Sequence, residues 1–159
     1  MLFYRIAGAV IVTLCGMAGA YLLNRADSAA LSQAEGVISW VRHVRSQIEC
    51  FSMPLHDVLC RCPEDIYRSF GYQGEDIPRS MDELLRGCVF CDGETAKHVS
   101  RFCSDIGKGY RDEQLVLCDY TVGLLEERRR ALSEQLPARK KRNSALCMSG
   151  ALAVVILLI

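Results

Sequence analysis

The chain has 159 residues, half of them hydrophobic, and a formal net charge of zero. That length suits one modest domain, and a nucleic-acid partner is disfavoured because the basic cluster is short and the rest of the domain acidic. The charges are segregated: residues 26–125 hold 16 acidic and 10 basic side chains, and residues 126–142 hold 7 basic and 3 acidic ones.

Residues 6–23, IAGAVIVTLCGMAGAYLL, carry no charge and lie between Arg5 and Arg25. At 1.5 Å per residue, 18 helical residues just reach across a hydrocarbon layer about 30 Å thick. Tyr4 and Tyr21 suit the two interfaces. The run predicts a transmembrane anchor over residues 1–25. Its rival is a signal peptide cleaved near Ala20, since Ala18-Gly19-Ala20 has the small-residue form of a cleavage site. Cleavage would leave eight cysteines, a number that suits a secreted disulfide-rich or zinc-binding helical domain.

A helical period follows, with Asp27 or Ser28 as the expected N-cap. Leu31, Ala34, Ile38, Val41, Ile48 and Phe51 recur at intervals of three and four or their sums. Pro54 stops or restarts this helix. Leu55, Val58, Leu59 and Cys62 then form a short apolar face ended by Pro63. Residues 63–79 hold two prolines and two glycines and predict a loop with one helical turn at Tyr67–Phe70. Ser80 and Glu83 have capping-box spacing, opening a helix faced by Met81, Leu84, Leu85 and Cys88. Asp92 caps the next helix, whose stripe is Ala96, Val99, Phe102, Cys103 and Ile106. Gly107 and Gly109 end it.

Leu115, Cys118, Val122, Leu125, Leu132 and Leu136 have heptad-like spacing, with Arg129 out of pattern. This predicts a long amphipathic helix pairing with the helix at 28–51, bent or interrupted at Pro137. Arg139, Lys140, Lys141 and Arg142 come next and flank the uncharged run SALCMSGALAVVILLI, residues 144–159. A basic cluster beside an apolar segment reads as a cytoplasmic membrane flank that meets anionic lipid. The terminal run is short for a span and predicts a membrane helix by local bilayer thinning, a tail anchor or a partner-packed helix. The chain thus divides into 1–25, a helical cytoplasmic domain at 26–142, and a hydrophobic segment at 143–159. The fold class is all-α: an N-terminal transmembrane helix, an antiparallel bundle with two long helices, and a short C-terminal apolar helix.

No phosphate-binding, nucleophile-elbow, zinc-protease or dinucleotide motif occurs, and the chain reads as non-enzymatic with no cofactor. His43, His56 and His98 fall on polar or boundary helix positions and read as solvated. Cys60, Cys62, Cys88 and Cys91, with His56 as a substitute, are the weak candidates for a zinc site. The first pair is too tight for the usual knuckle. On a helix, Cys60 and Cys62 point about 200° apart. Free cysteine packs as a small apolar residue, and in a reducing compartment all nine stay thiols.

In order and spacing the chain resembles the stage III sporulation protein AB family. The resemblance starts with a single N-terminal span followed at once by a long helix. It continues in QIECFSMPLHDVL, where Ile48, Pro54 and Leu55 match a helix-end pattern and Gln47 stands where an acid is usual. It is clearest in FCSDIGKGYRDEQLVLCDYTVGLLEERRRAL, which keeps Phe102, Gly107 and Gln114 but has Cys103 for a glycine and Ile106 for a leucine. In the terminal KKRNSALCMSGALAVVILLI, Cys147 stands where glycine is expected. The resemblance implies a non-enzymatic member of the complex between mother cell and forespore. Its helical domain, similar to those of type II secretion and type IV pilus platform proteins, would face the mother-cell cytoplasm beside a secretion-type assembly ATPase. It implies other stage III proteins as partners, to which the charge pattern adds membrane lipid and no nucleic acid.

Overall fold

The structure, a computed structural model, describes residues 2–51 and 54–158. The side chains of residues 2–7, 9, 157 and 158 lie outside the described residues, as do the expectations placed on Tyr4 and Arg5. Six helices follow in order: α1 Leu2–Phe51, α2 Leu55–Cys60, α3 Glu64–Ser69, α4 Met81–Gly87, α5 Gly93–Asp105 and α6 Arg111–Leu158. The all-α class with two long helices is therefore observed. The sole sheet-like feature among the described residues is an isolated antiparallel bridge between Tyr72 and Cys88.

Contacts divide the chain into two compact units. One combines Met1–Ala29 with Ser133–Ile159, and the other is Ala30–Leu132.

Within the larger unit, α1 and α6 run antiparallel. Arg42 pairs with Glu126 at 2.5 Å, Arg45 with Asp119 at 2.6 Å, and the Arg111 guanidinium donates to the carbonyls of Ile48 and Glu49 at 3.4 and 2.6 Å. Numbers rise along one helix as they fall along the other. These ion pairs are largely exposed and contribute little each; the packing beneath them supplies the stability. Trp40 is fully buried against Phe70 and Phe102, with ring centroids 5.3 and 5.6 Å away. Val37, Val41, Val44 and Ile48 extend that face of α1, and Val58, Leu84, Val99 and Leu125 meet it.

Several expectations need correction. Neither Asp27 nor Ser28 caps a helix, because α1 runs through them without a break. The N–H groups there already have partners one turn back, so a cap has nothing to satisfy. Ser28 instead donates to the Asn24 carbonyl at 2.9 Å. Phe51, expected on the core face, is 60% exposed at the end of α1. The loop at 63–79 contains a full helix, α3, with Pro63 at its N-cap. Proline there loses no bond, since the first-turn N–H groups are orphans anyway. Pro137 lies inside α6 and does not end it. It removes one hydrogen bond on an exposed stretch, where the freed carbonyl is open to water.

The expected caps at Ser80 and Asp92 are present. Ser80 accepts from the Glu83 N–H at 3.2 Å, and Glu83 accepts from the Arg79 N–H at 2.8 Å. Asp92 accepts from the Thr95 N–H and hydroxyl at 2.9 and 2.7 Å.

Candidate functional site

Three groups of side chains have chemistry beyond simple packing: the helix pair of the smaller unit, the cysteines, and the polar clamp that holds residues 88–91.

In the smaller unit, two helical segments approach closely through small residues. A Cβ added at Gly16 would lie 2.9 Å from Cβ of Ala151 and 3.1 Å from the Cys147 carbonyl oxygen. Ala20 and Ala151 are buried. The large apolar side chains point the other way: Ile11, Leu14 and Leu22 of α1, and Leu146, Leu152 and Ile156 of α6, are each more than half exposed. Small residues inside and large apolar ones outside invert the order of a water-soluble helix pair. At the polar end, Asp27 accepts from Arg139 at 3.4 Å and from the Asn143 amide at 3.0 Å. Of the four expected flank residues, Arg139 thus faces Asp27, while Lys140, Lys141 and Arg142 are exposed. Among the described residues no helix is long and apolar enough to cross a membrane. Both expected runs, 6–23 and 144–159, extend into residues whose side chains lie outside the description.

The cysteines do not converge. Among the described residues no three histidine, cysteine or acidic side chains are grouped so as to hold a metal ion. Cys60 is exposed and Cys62 is buried, with the Cys62 thiol pushed up to about 11 by burial. Cys88 and Cys91 are not on a helix. α4 ends at Gly87, and Cys88 is already extended, bridged to Tyr72. Burial pushes Cys88 up to about 12, while Cys91 is exposed. Cys103 and Cys118 are likewise buried, at about 12 and about 11. Thiols held protonated by a dry environment are poor ligands and poor nucleophiles.

Residues 88–91 are held by a buried glutamine that the periodicity gave no reason to single out. Gln33 of α1 donates through Nε2 to the Phe70 carbonyl at 2.9 Å and to the Val89 carbonyl at 2.6 Å; its Oε1 accepts from the Cys91 N–H at 2.7 Å. One amide thus satisfies three backbone groups of two separate loops. Gly71 makes room for it with φ +96°, and Val89 donates to the Gly71 carbonyl at 3.0 Å. Next to this clamp, Arg128 grips the Asp92 carboxylate with bonds of 2.9 and 2.5 Å. That guanidinium, together with the Thr95 donors, holds the Asp92 carboxyl well below the usual carboxylate range.

The histidines divide. His43 is half-buried, its Nε2 is enclosed without a hydrogen-bond partner, and burial lowers its affinity for a proton. This corrects the solvated reading at that position. His98 is half-buried and His56 exposed.

Ile48, Pro54, Leu55, Phe102, Gly107 and Gln114, singled out in the sequence, all lie in the larger unit. Ile48 is buried and its carbonyl takes the Arg111 bond. Pro54 is the N-cap of α2, and a Cβ on Gly107 would touch Leu55 at 3.4 Å. Gly107 has φ +84°, Phe102 is in the core, and Gln114 donates to the Gly109 carbonyl at 2.8 Å. These are helix-end and packing roles. Comparison with protein families, curated proteins and solved structures finds no match to this chain.

Proposed function

We propose that this chain is a membrane-tethered helical scaffold, a non-enzymatic component of the stage III sporulation complex between mother cell and forespore. In this reading α1 and α6 each send their apolar end into the cell membrane. The helical unit between them faces the mother-cell cytoplasm and meets a secretion-type ATPase. The observation that carries the membrane part is the inverted helix pair, with Gly16 against Ala151 inside and Leu14, Leu22, Leu152 and Ile156 outside. In water that surface would cost about 25 cal/mol for each Å² of apolar area left exposed; in lipid it costs nothing. The exposed Lys140, Lys141 and Arg142 suit anionic headgroups on the cytoplasmic side. Signal-peptide cleavage near Ala20 would discard Gly16 and Gly19, and with them their close approach to Cys147 and Ala151. The sporulation assignment rests on the family resemblance.

Tag accessibility in intact cells, at residue 75 and after Ile159, tests the topology. The expected outcome is a protected residue 75 in a chain that stays with membranes after alkaline extraction. An accessible residue 75, or a mature chain that starts near Ala20, would overturn it. Charge reversal across Arg139–Arg142 should weaken membrane association; unchanged association and topology would count against the lipid contact.

A further inference from the structure

The exposed pair His56 and Cys60 has a chemistry that the scaffold reading does not use. Both lie on α2, four residues apart and therefore on one face. His56 Nδ1 is 3.1 Å from the backbone carbonyl of Arg79. A carbonyl oxygen can only accept, so Nδ1 carries the hydrogen, and the neutral ring then presents a lone pair at Nε2. That nitrogen faces Cys60 Sγ at 3.7 Å. The result is a nucleophile, a base and a group that orients the base, each within reach of the next.

Among the described residues, no other exposed cysteine has a histidine at hydrogen-bonding distance. Beside His56 lies an open groove of about 530 Å³, with Leu55, Leu59 and Ile106 as apolar lining and Arg79, Lys108 and Asp82 as charged lining.

We propose that Cys60 is a modification site that takes up a low-molecular-weight thiol from a carboxylate-bearing disulfide, with His56 as base and the groove as seat for the incoming group. As Sγ attacks one sulfur of the disulfide, its proton passes to His56 Nε2. The Cys60 Sγ–S bond forms, the disulfide S–S bond breaks, and the imidazolium returns the proton to the departing thiolate. One disulfide and one thiol become a mixed disulfide and a free thiol, so the electrons balance without a further oxidant. Arg79 and Lys108 suit the carboxylates of the incoming molecule. The inference does not depend on the membrane reading.

The test uses the full chain in detergent micelles with glutathione disulfide as probe, and mass mapping of Cys50, Cys60 and Cys91, the exposed thiols of the larger unit. Cys60 should react about a hundredfold faster than the other two, the low end of what a positioned base supplies. His56→Gln should remove that advantage and leave Cys50 and Cys91 unchanged. In urea, where the Arg79 carbonyl no longer orients the ring, the advantage should vanish for the wild-type chain as well. A Cys60 rate no higher than that of Cys50 and Cys91 would overturn the proposal. So would an advantage that survives either urea or His56→Gln.

Discussion

Replacing Gln33 with leucine keeps side-chain volume and removes the clamp on residues 70–71 and 88–91. Three hydrogen bonds are lost, to the Phe70 and Val89 carbonyls and from the Cys91 N–H. The Phe70 bond is buried; the other two are partly exposed. An unsatisfied buried carbonyl costs about 1–3 kcal/mol, and each bond that water can partly replace about 1 kcal/mol. The sum is about 3–5 kcal/mol, a large share of the 5–15 kcal/mol typical of a whole domain. Trp40 provides the assay: it is the sole tryptophan in the sequence and packs directly on Phe70. Its fluorescence should show a lower urea midpoint, shifted by that free energy divided by the slope m, with the slope unchanged. Amide exchange at Cys91 should also rise ahead of global unfolding. A loss under about 1 kcal/mol with Cys91 still protected would refute the argument that this amide holds the two loops together.

Other substitutions probe neighbouring features. At Gly71, alanine would enter a left-handed backbone and press on the Gln33 amide and the Val89 carbonyl, so Gly71→Ala should destabilise the larger unit by about 2–4 kcal/mol in the same fluorescence assay. Asp92 is held ionised by Arg128 first and by Thr95 next. A depressed carboxyl stabilises the fold above its unfolded value, about 3.9, and that share is lost as pH falls below it. Stability should therefore drop between about pH 4 and pH 2, and Asp92→Asn should flatten the drop while lowering stability at pH 7, both read from urea midpoints. Gly16→Leu would drive a side chain into Ala151 and the Cys147 backbone. A Cβ at Gly19 lies 3.8 Å from Cys147 Sγ, so Gly19→Cys should crosslink to Cys147 on oxidation, and adding Gly16→Leu should abolish that crosslink.

What the sequence by itself determined is local. The two apolar ends, the apolar positions Ile38, Val41 and Ile48, and the stripe from Val99 to Ile106 follow from helix period alone. The caps at Ser80 and Asp92 were legible because an N-cap bonds to an N–H three residues on, inside one window of sequence. His56 stands four residues before Cys60, a spacing visible in the chain, but the Arg79 carbonyl that fixes its tautomer lies 23 residues away.

Tertiary structure decided everything that depends on distant partners. Gln33 reads as one more polar residue at the start of a helix until backbone groups 37, 56 and 58 residues on converge on it. Asp92 reads only as a cap until Arg128 closes on it from α6. Trp40, Tyr67 and Phe70 form the centre of the core, yet two of them sit in a stretch whose prolines and glycines suggest a loop. Cys60, Cys62, Cys88 and Cys91 have two plausible spacings in sequence and no common centre in space. Spacing along a chain limits which side chains can share a local face; only the packing of the helices decides which faces meet.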